Sequence, residues 1–79
     1  MKILFFAQLV QATGKPELEL AIDQPLSGDE LWRRLSRDYP ALGPFKSHIR
    51  LARDCEYVPW DSLLENHHEV ALIPPVSGG

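Results

Sequence analysis

Apolar and polar positions divide this chain into a short series of elements. The run from Lys2 to Val10, KILFFAQLV, is almost unbroken in its hydrophobicity and predicts a strand buried on much of both faces. Period-two alternation sets Ile3, Phe5, Ala7 and Leu9 on one side and Leu4, Phe6 and Gln8 on the other. TGKP (Thr13–Pro16) has the composition of a turn. ELELAI (Glu17–Ile22) then alternates strictly, which predicts an antiparallel hairpin partner with Leu18, Leu20 and Ile22 facing inward.

SGDE (Ser27–Glu30) has the form of a capping box, in which Ser27 and Glu30 each satisfy a backbone amide of the other. The helix it opens is expected to run to Tyr39, because Pro40 offers no amide hydrogen and disfavours a helical residue before it. Leu31 and Leu35 lie one turn apart, and with Trp32 and Tyr39 they make one apolar stripe that needs a sheet to cover. PALGPF (Pro40–Phe45) is expected to be a loop and HIRLAR (His48–Arg53) a strand. A turn at Asp54-Cys55, a short strand at Glu56–Val58, an irregular link at Pro59–Leu64 and a polar turn at Glu65–His68 follow. Glu69–Ile73 is the last strand, and Pro74 ends its ladder. In that strand Val70 and Leu72 face the core, leaving Ala71 and Ile73 on the outer side with Phe6, an apolar patch of the kind that marks an interface. The order β-β-α-β-β, with one short extra segment, gives an α+β fold: a mixed sheet crossed by one main helix.

Composition narrows the function. A length of 79 residues predicts a single domain over 1–79, and 44% apolar content supports one core without a deep enzyme pocket. A net charge of −3 with scattered basic residues argues against nucleic acid, and Arg33-Arg34 fits a solvated helix face. One cysteine, Cys55, forms no intrachain disulfide and fits a reduced, cytoplasmic setting. The opening apolar run is interrupted by Gln8 and is too short for a signal peptide, and nothing approaches a membrane span.

Side-chain chemistry is sparse. The adjacent His67 and His68 are expected to diverge from their turn, with no carboxylate or cysteine at zinc-like spacing, so no metal site is expected. Cys55, between Asp54 and Glu56, is a poor nucleophile because neighbouring carboxylates disfavour the thiolate. Glu17, Glu19, Asp23, Asp29 and Glu30 have simpler places on a wet strand face or near a helix start, and TGKP lacks the spacing of a phosphate loop. Trp32 belongs to the core and Trp60 is expected to be partly buried.

The remaining group is the α-carboxylate of Gly79. Fully extended, the tail Pro74–Gly79 spans roughly 20 Å. Pro74 and Pro75 stiffen it, Val76 and Ser77 are small, and Gly78 and Gly79 have no Cβ, so the end fits a narrow channel. A carboxylate becomes reactive once a partner adenylates it with ATP. A Gly-Gly end without chemistry is the other reading that composition leaves open.

Both ends of the chain carry a family pattern. ILFFAQL (Ile3–Leu9) and EVALIPPVSGG (Glu69–Gly79) resemble the first and last strands of the small subunit of molybdopterin synthase, the MoaD family; ARDCEYV (Ala52–Val58) resembles its third-strand turn less closely. The resemblance implies a β-grasp, ubiquitin-like fold that binds no cofactor of its own. It also implies a sulfur carrier whose Gly79 is adenylated with ATP by a MoeB-type enzyme and converted to a thiocarboxylate. The sulfur then passes to cyclic pyranopterin monophosphate within a large, MoaE-type subunit, in a heterotetramer. Pro74, Pro75, Val76, Ser77 and Gly78 would be the inserted tail, with Phe6, Ala71 and Ile73 contacting the partner. Where members often carry an Arg-Glu-like pair, a Gly-Asp turn and a turn glycine, this chain has Val10-Gln11, Asn66–His68 and Cys55. A related carrier for thiamine or tRNA thiolation, a ubiquitin-like protein modifier and a plain β-grasp binding module remain alternatives at this level.

Overall fold

β1 (Lys2–Phe5) and β7 (Glu69–Ile73) lie side by side and parallel in the computed structural model, which describes residues 1–74. Their register runs from Lys2 opposite Glu69 to Phe5 opposite Leu72. β2 (Glu17–Glu19) pairs antiparallel with the free edge of β1, and β4 (Arg50–Arg53) pairs antiparallel with the free edge of β7. β5 (Glu56–Tyr57) completes a five-stranded mixed sheet of order β2-β1-β7-β4-β5. A separate two-stranded ladder joins β3 (Leu26–Ser27) to β6 (Leu63–Leu64).

The main helix, α2 (Gly28–Asp38), begins at the expected capping box: the Glu30 amide donates to Ser27 Oγ at 3.1 Å, and the Ser27 amide donates to Glu30 Oε1 at 3.5 Å. Its stripe of Leu31, Trp32 and Leu35 is buried together with Ile3, Phe5, Leu51, Val70 and Leu72 from the sheet. A Cβ on Gly28 would stand 2.6 Å from a Leu51 methyl and 2.7 Å from the Trp60 carbonyl, so glycine lets the helix start against β4. Trp60 is half-buried and meets the edge of Trp32 at a centroid distance of 5.8 Å. Lys46 Nζ closes the same corner on Asp29 Oδ1 at 2.6 Å. Arg33 and Arg34 are exposed.

The expected first strand is too long. It stops at Phe5, and α1 (Gln8–Thr13) takes over the second half of the apolar run. Ala7 turns the chain at φ 50°, outside the extended region, and Gly14 closes the helix at φ 78°. Leu9 is buried as expected, but from a helix, with Thr13 one turn later; Ala7 is exposed. The hairpin strand also ends early, at Glu19, although Ile22 still reaches the core. The expected loop after α2 is a 3₁₀ helix, Pro40–His48, whose buried Leu42 anchors it, and it delays β4 to Arg50. Proline at its start needs no amide partner, which suits a tight helical turn.

Candidate functional site

The alternation that buries Ile3, Phe5, Val70, Leu72 and Leu51 turns the intervening residues to the other side of the sheet. Registers place Leu4 beside Ala71, Ala71 beside Ala52, and Ala52 beside Tyr57. This row crosses β1, β7, β4 and β5, with two alanines between two large side chains. Small residues at the centre and large ones at the rims make a hollow. It has a volume of about 280 Å³ and is lined also by Phe6, Ile73, Cys55 and Glu69.

Phe6 is 45% exposed and Tyr57 56% exposed, while Ala71 and Ile73 are half-buried. The rim is charged on both flanks. Arg50, opposite Ile73, holds its guanidinium over the Tyr57 ring at 3.9 Å, and Lys2 reaches Glu17 at 3.4 Å on the β1–β2 side. Apolar floor and polar rim are the anatomy of a protein-docking surface. The expected patch of Phe6, Ala71 and Ile73 is thus brought together. Alternation sets Leu4 on the side of Phe6, as observed, whereas sequence reading missed Ala52, Tyr57 and Arg50. The equal parity of Arg50 and Ala52 in RLAR was the available signal, but it is informative only once the β4–β7 register is known.

The hollow reaches Ile73, the last residue of β7. β7 is hydrogen-bonded on both edges, to β1 and β4, so its last residue, Ile73, is fixed between Arg50 and the end of β1. Pro74 follows and is buried. The expected tail residues Pro75, Val76, Ser77, Gly78 and Gly79 lie outside the described residues.

Cys55 is exposed in its turn at φ 70°, a conformation that favours glycine. At the opposite end of β7, His67 and His68 do not diverge as expected. Their rings approach to a centroid distance of 4.1 Å, and ligand atoms of Glu65, His67 and His68 all lie within 4.8 Å of one another. The turn tightens through the His68 amide, which donates to the Glu65 carbonyl at 3.0 Å, and this folds both rings towards one side. Among the described residues no helix is long and apolar enough to cross a membrane.

A mixed sheet with a parallel central pair, gripped on one face by a single long helix, defines a small ubiquitin-like β-grasp protein. The ThiS family model matches residues 3–79, and the chain belongs to that family, among the molybdopterin synthase sulfur carrier subunits. The molybdopterin synthase sulfur carrier subunit of Caenorhabditis briggsae is 40% identical, across 100% of this chain and 96% of that protein. SAMP1 from Haloferax volcanii superposes with a TM-score of 0.81 at 29% identity, covering 99% of this chain and 97% of its own. A chain from the complex of subunits 1 and 2 of the molybdopterin-converting factor of Helicobacter pylori shares the fold. Its TM-score is 0.67 at 18% identity, covering 99% of this chain and 96% of its own.

Proposed function

We propose that this chain is the sulfur carrier subunit of a molybdopterin synthase, with the Gly79 carboxylate as its reactive group and the outer-face hollow as its docking surface. The carrying observation is the full-length similarity to sulfur carrier subunits, reaching 40% identity. The placement of Phe6, Ile73 and Arg50 around the start of the tail supports the docking role.

The chemistry starts with attack of the Gly79 carboxylate on the α-phosphorus of ATP, held by a MoeB-type enzyme, with release of pyrophosphate. A sulfide-level sulfur nucleophile then attacks the acyl carbon, AMP leaves, and the product is a thiocarboxylate. Within the large, MoaE-type subunit this sulfur bonds to cyclic pyranopterin monophosphate, and water cleaves the acyl–sulfur bond, which leaves the sulfur on the acceptor and regenerates the carboxylate. Pro74 and Pro75 direct the tail, while Val76, Ser77, Gly78 and Gly79 fit a narrow channel because none is bulky. Phe6, Ala71 and Ile73 bury their exposed apolar surface against the large subunit, and the desolvation of that surface drives association. The two-subunit complex formed by the Helicobacter pylori neighbour supports such a partner. The setting is cytoplasmic, without membrane or nucleic acid, and the chain itself binds no cofactor.

Intact mass after incubation with a MoeB-type enzyme, ATP and a sulfur source tests this reading. The native chain should show a sulfur-for-oxygen shift, and chains lacking Gly79 or carrying one extra residue after it should not. An unchanged native mass, with the activating enzyme competent on another carrier, would overturn it.

A further inference from the structure

The Glu65–His68 turn is built more firmly than a surface connection needs. Asn66 fastens it to the chain after β2 through two bonds: its Nδ2 donates to the Ile22 carbonyl at 2.7 Å, and its Oδ1 accepts from the Ile22 amide at 3.0 Å. On the other side the Glu69 amide donates to Asp54 Oδ1 at 2.8 Å, and the Asp54 amide returns a bond to the Glu69 carbonyl at 2.8 Å. His67 and His68 stand between these two clamps and Glu65 immediately precedes the first, with the ligand atoms of all three within 4.8 Å of one another. A hollow of about 320 Å³ adjoins Glu65 and His67, lined also by Ile22, Asp23 and Pro25.

We propose that Glu65, His67 and His68 form a binding site for a divalent first-row transition metal, of which Zn²⁺, Ni²⁺ and Cu²⁺ are the fitting ions. Two imidazoles and one carboxylate select this class over Mg²⁺ and Ca²⁺, which take oxygen ligands. Metal–ligand bonds of ~2.0–2.2 Å place neighbouring donors roughly 3–3.5 Å apart, so the observed spacing closes by small side-chain rotations. With three protein ligands the remaining positions are open to water. The site precedes the first residue of β7, Glu69, at the opposite end of that strand from Ile73, and does not rest on the sulfur-carrier reading.

Binding has one internal cost that also supplies a reporter. His68 Nδ1 accepts the Glu65 amide at 2.8 Å, so in the neutral ring the proton sits on Nε2. Coordination through either nitrogen takes this acceptor from the Glu65 amide, because the bound ring must use Nδ1 for the metal or carry its proton there. The backbone bond from His68 to Glu65 keeps the turn closed meanwhile.

The test is titration of Zn²⁺ alone into the full chain carrying Cys55→Ser, which removes the competing thiol. Calorimetry should give saturable one-to-one binding tighter than millimolar. In nitrogen-15 spectra the ring nitrogens of His67 and His68 and the Glu65 amide should shift together. His67→Ala, His68→Ala and Glu65→Gln should each weaken binding by about tenfold or more, with the remaining amide spectrum unchanged. Binding no tighter than millimolar, or equal affinity in any of the three variants, would overturn the three-ligand site.

Discussion

Along β7, consecutive residues have opposite surroundings. Val70 and Leu72 are wholly buried beneath α2, whereas Ala71 and Ile73 are half-buried on the open side and line the hollow. The inner set is packed from every direction. The outer set has a sheet behind it and, among the described residues, no helix in front. A single strand thus carries stability on one parity and recognition on the other, and substitutions on the two faces should separate the two properties.

Ranked by their effect on folding, four substitutions sharpen or break that separation. Leu72→Ala empties a fully enclosed position and should cost about 2–5 kcal/mol in urea unfolding. Gly28→Ala tests whether the inner layer has any spare room. With the Trp60 carbonyl and a Leu51 methyl inside van der Waals distance of the new Cβ, overpacking should cost about 1–3 kcal/mol. Ser27→Ala removes the oxygen that accepts the Glu30 amide, and about 1 kcal/mol should be lost, with thermal unfolding followed by circular dichroism as the check. Phe6→Ala comes last for stability, within about 0.5 kcal/mol of the parent. Its consequence should appear in affinity for the large synthase subunit, weakened by more than about 1.4 kcal/mol, or tenfold, in calorimetry. If Phe6→Ala unfolds the chain instead, the assignment of the two faces is reversed.

The parts of the fold legible in the sequence are those decided by neighbours in the chain. The capping box needs only Ser27 and Glu30; the end of β7 needs only Pro74; the turn at Asp54-Cys55 needs only its small polar pair. The apolar run after Lys2 reads as one long strand because an unbroken hydrophobic stretch has no phase. Leu9 satisfies a buried strand and a buried helix equally, and the deciding event is the φ of 50° at Ala7. Other features depend on partners distant in sequence. Asn66 is 44 residues from Ile22, and nothing local announces that its amide will pin the turn and bring His67 onto His68. The hollow was half legible: Phe6, Ala71 and Ile73 follow from alternation, but Tyr57 and Arg50 join them only through the β4 register.

The parallel pairing of β1 with β7 has a consequence in time. During synthesis, Lys2–Phe5 emerges well before Glu69–Ile73, so the middle of the sheet stays vacant until that later strand arrives. Contacts this distant in sequence slow folding, because a large loop must close before they form. A chain broken off before Glu69 would leave β1–β2 and β4–β5 as separate hairpins with no strand to join them. Such a product lacks Ala71 and Ile73, so the docking face exists only once Glu69–Ile73 has joined β1 and β4.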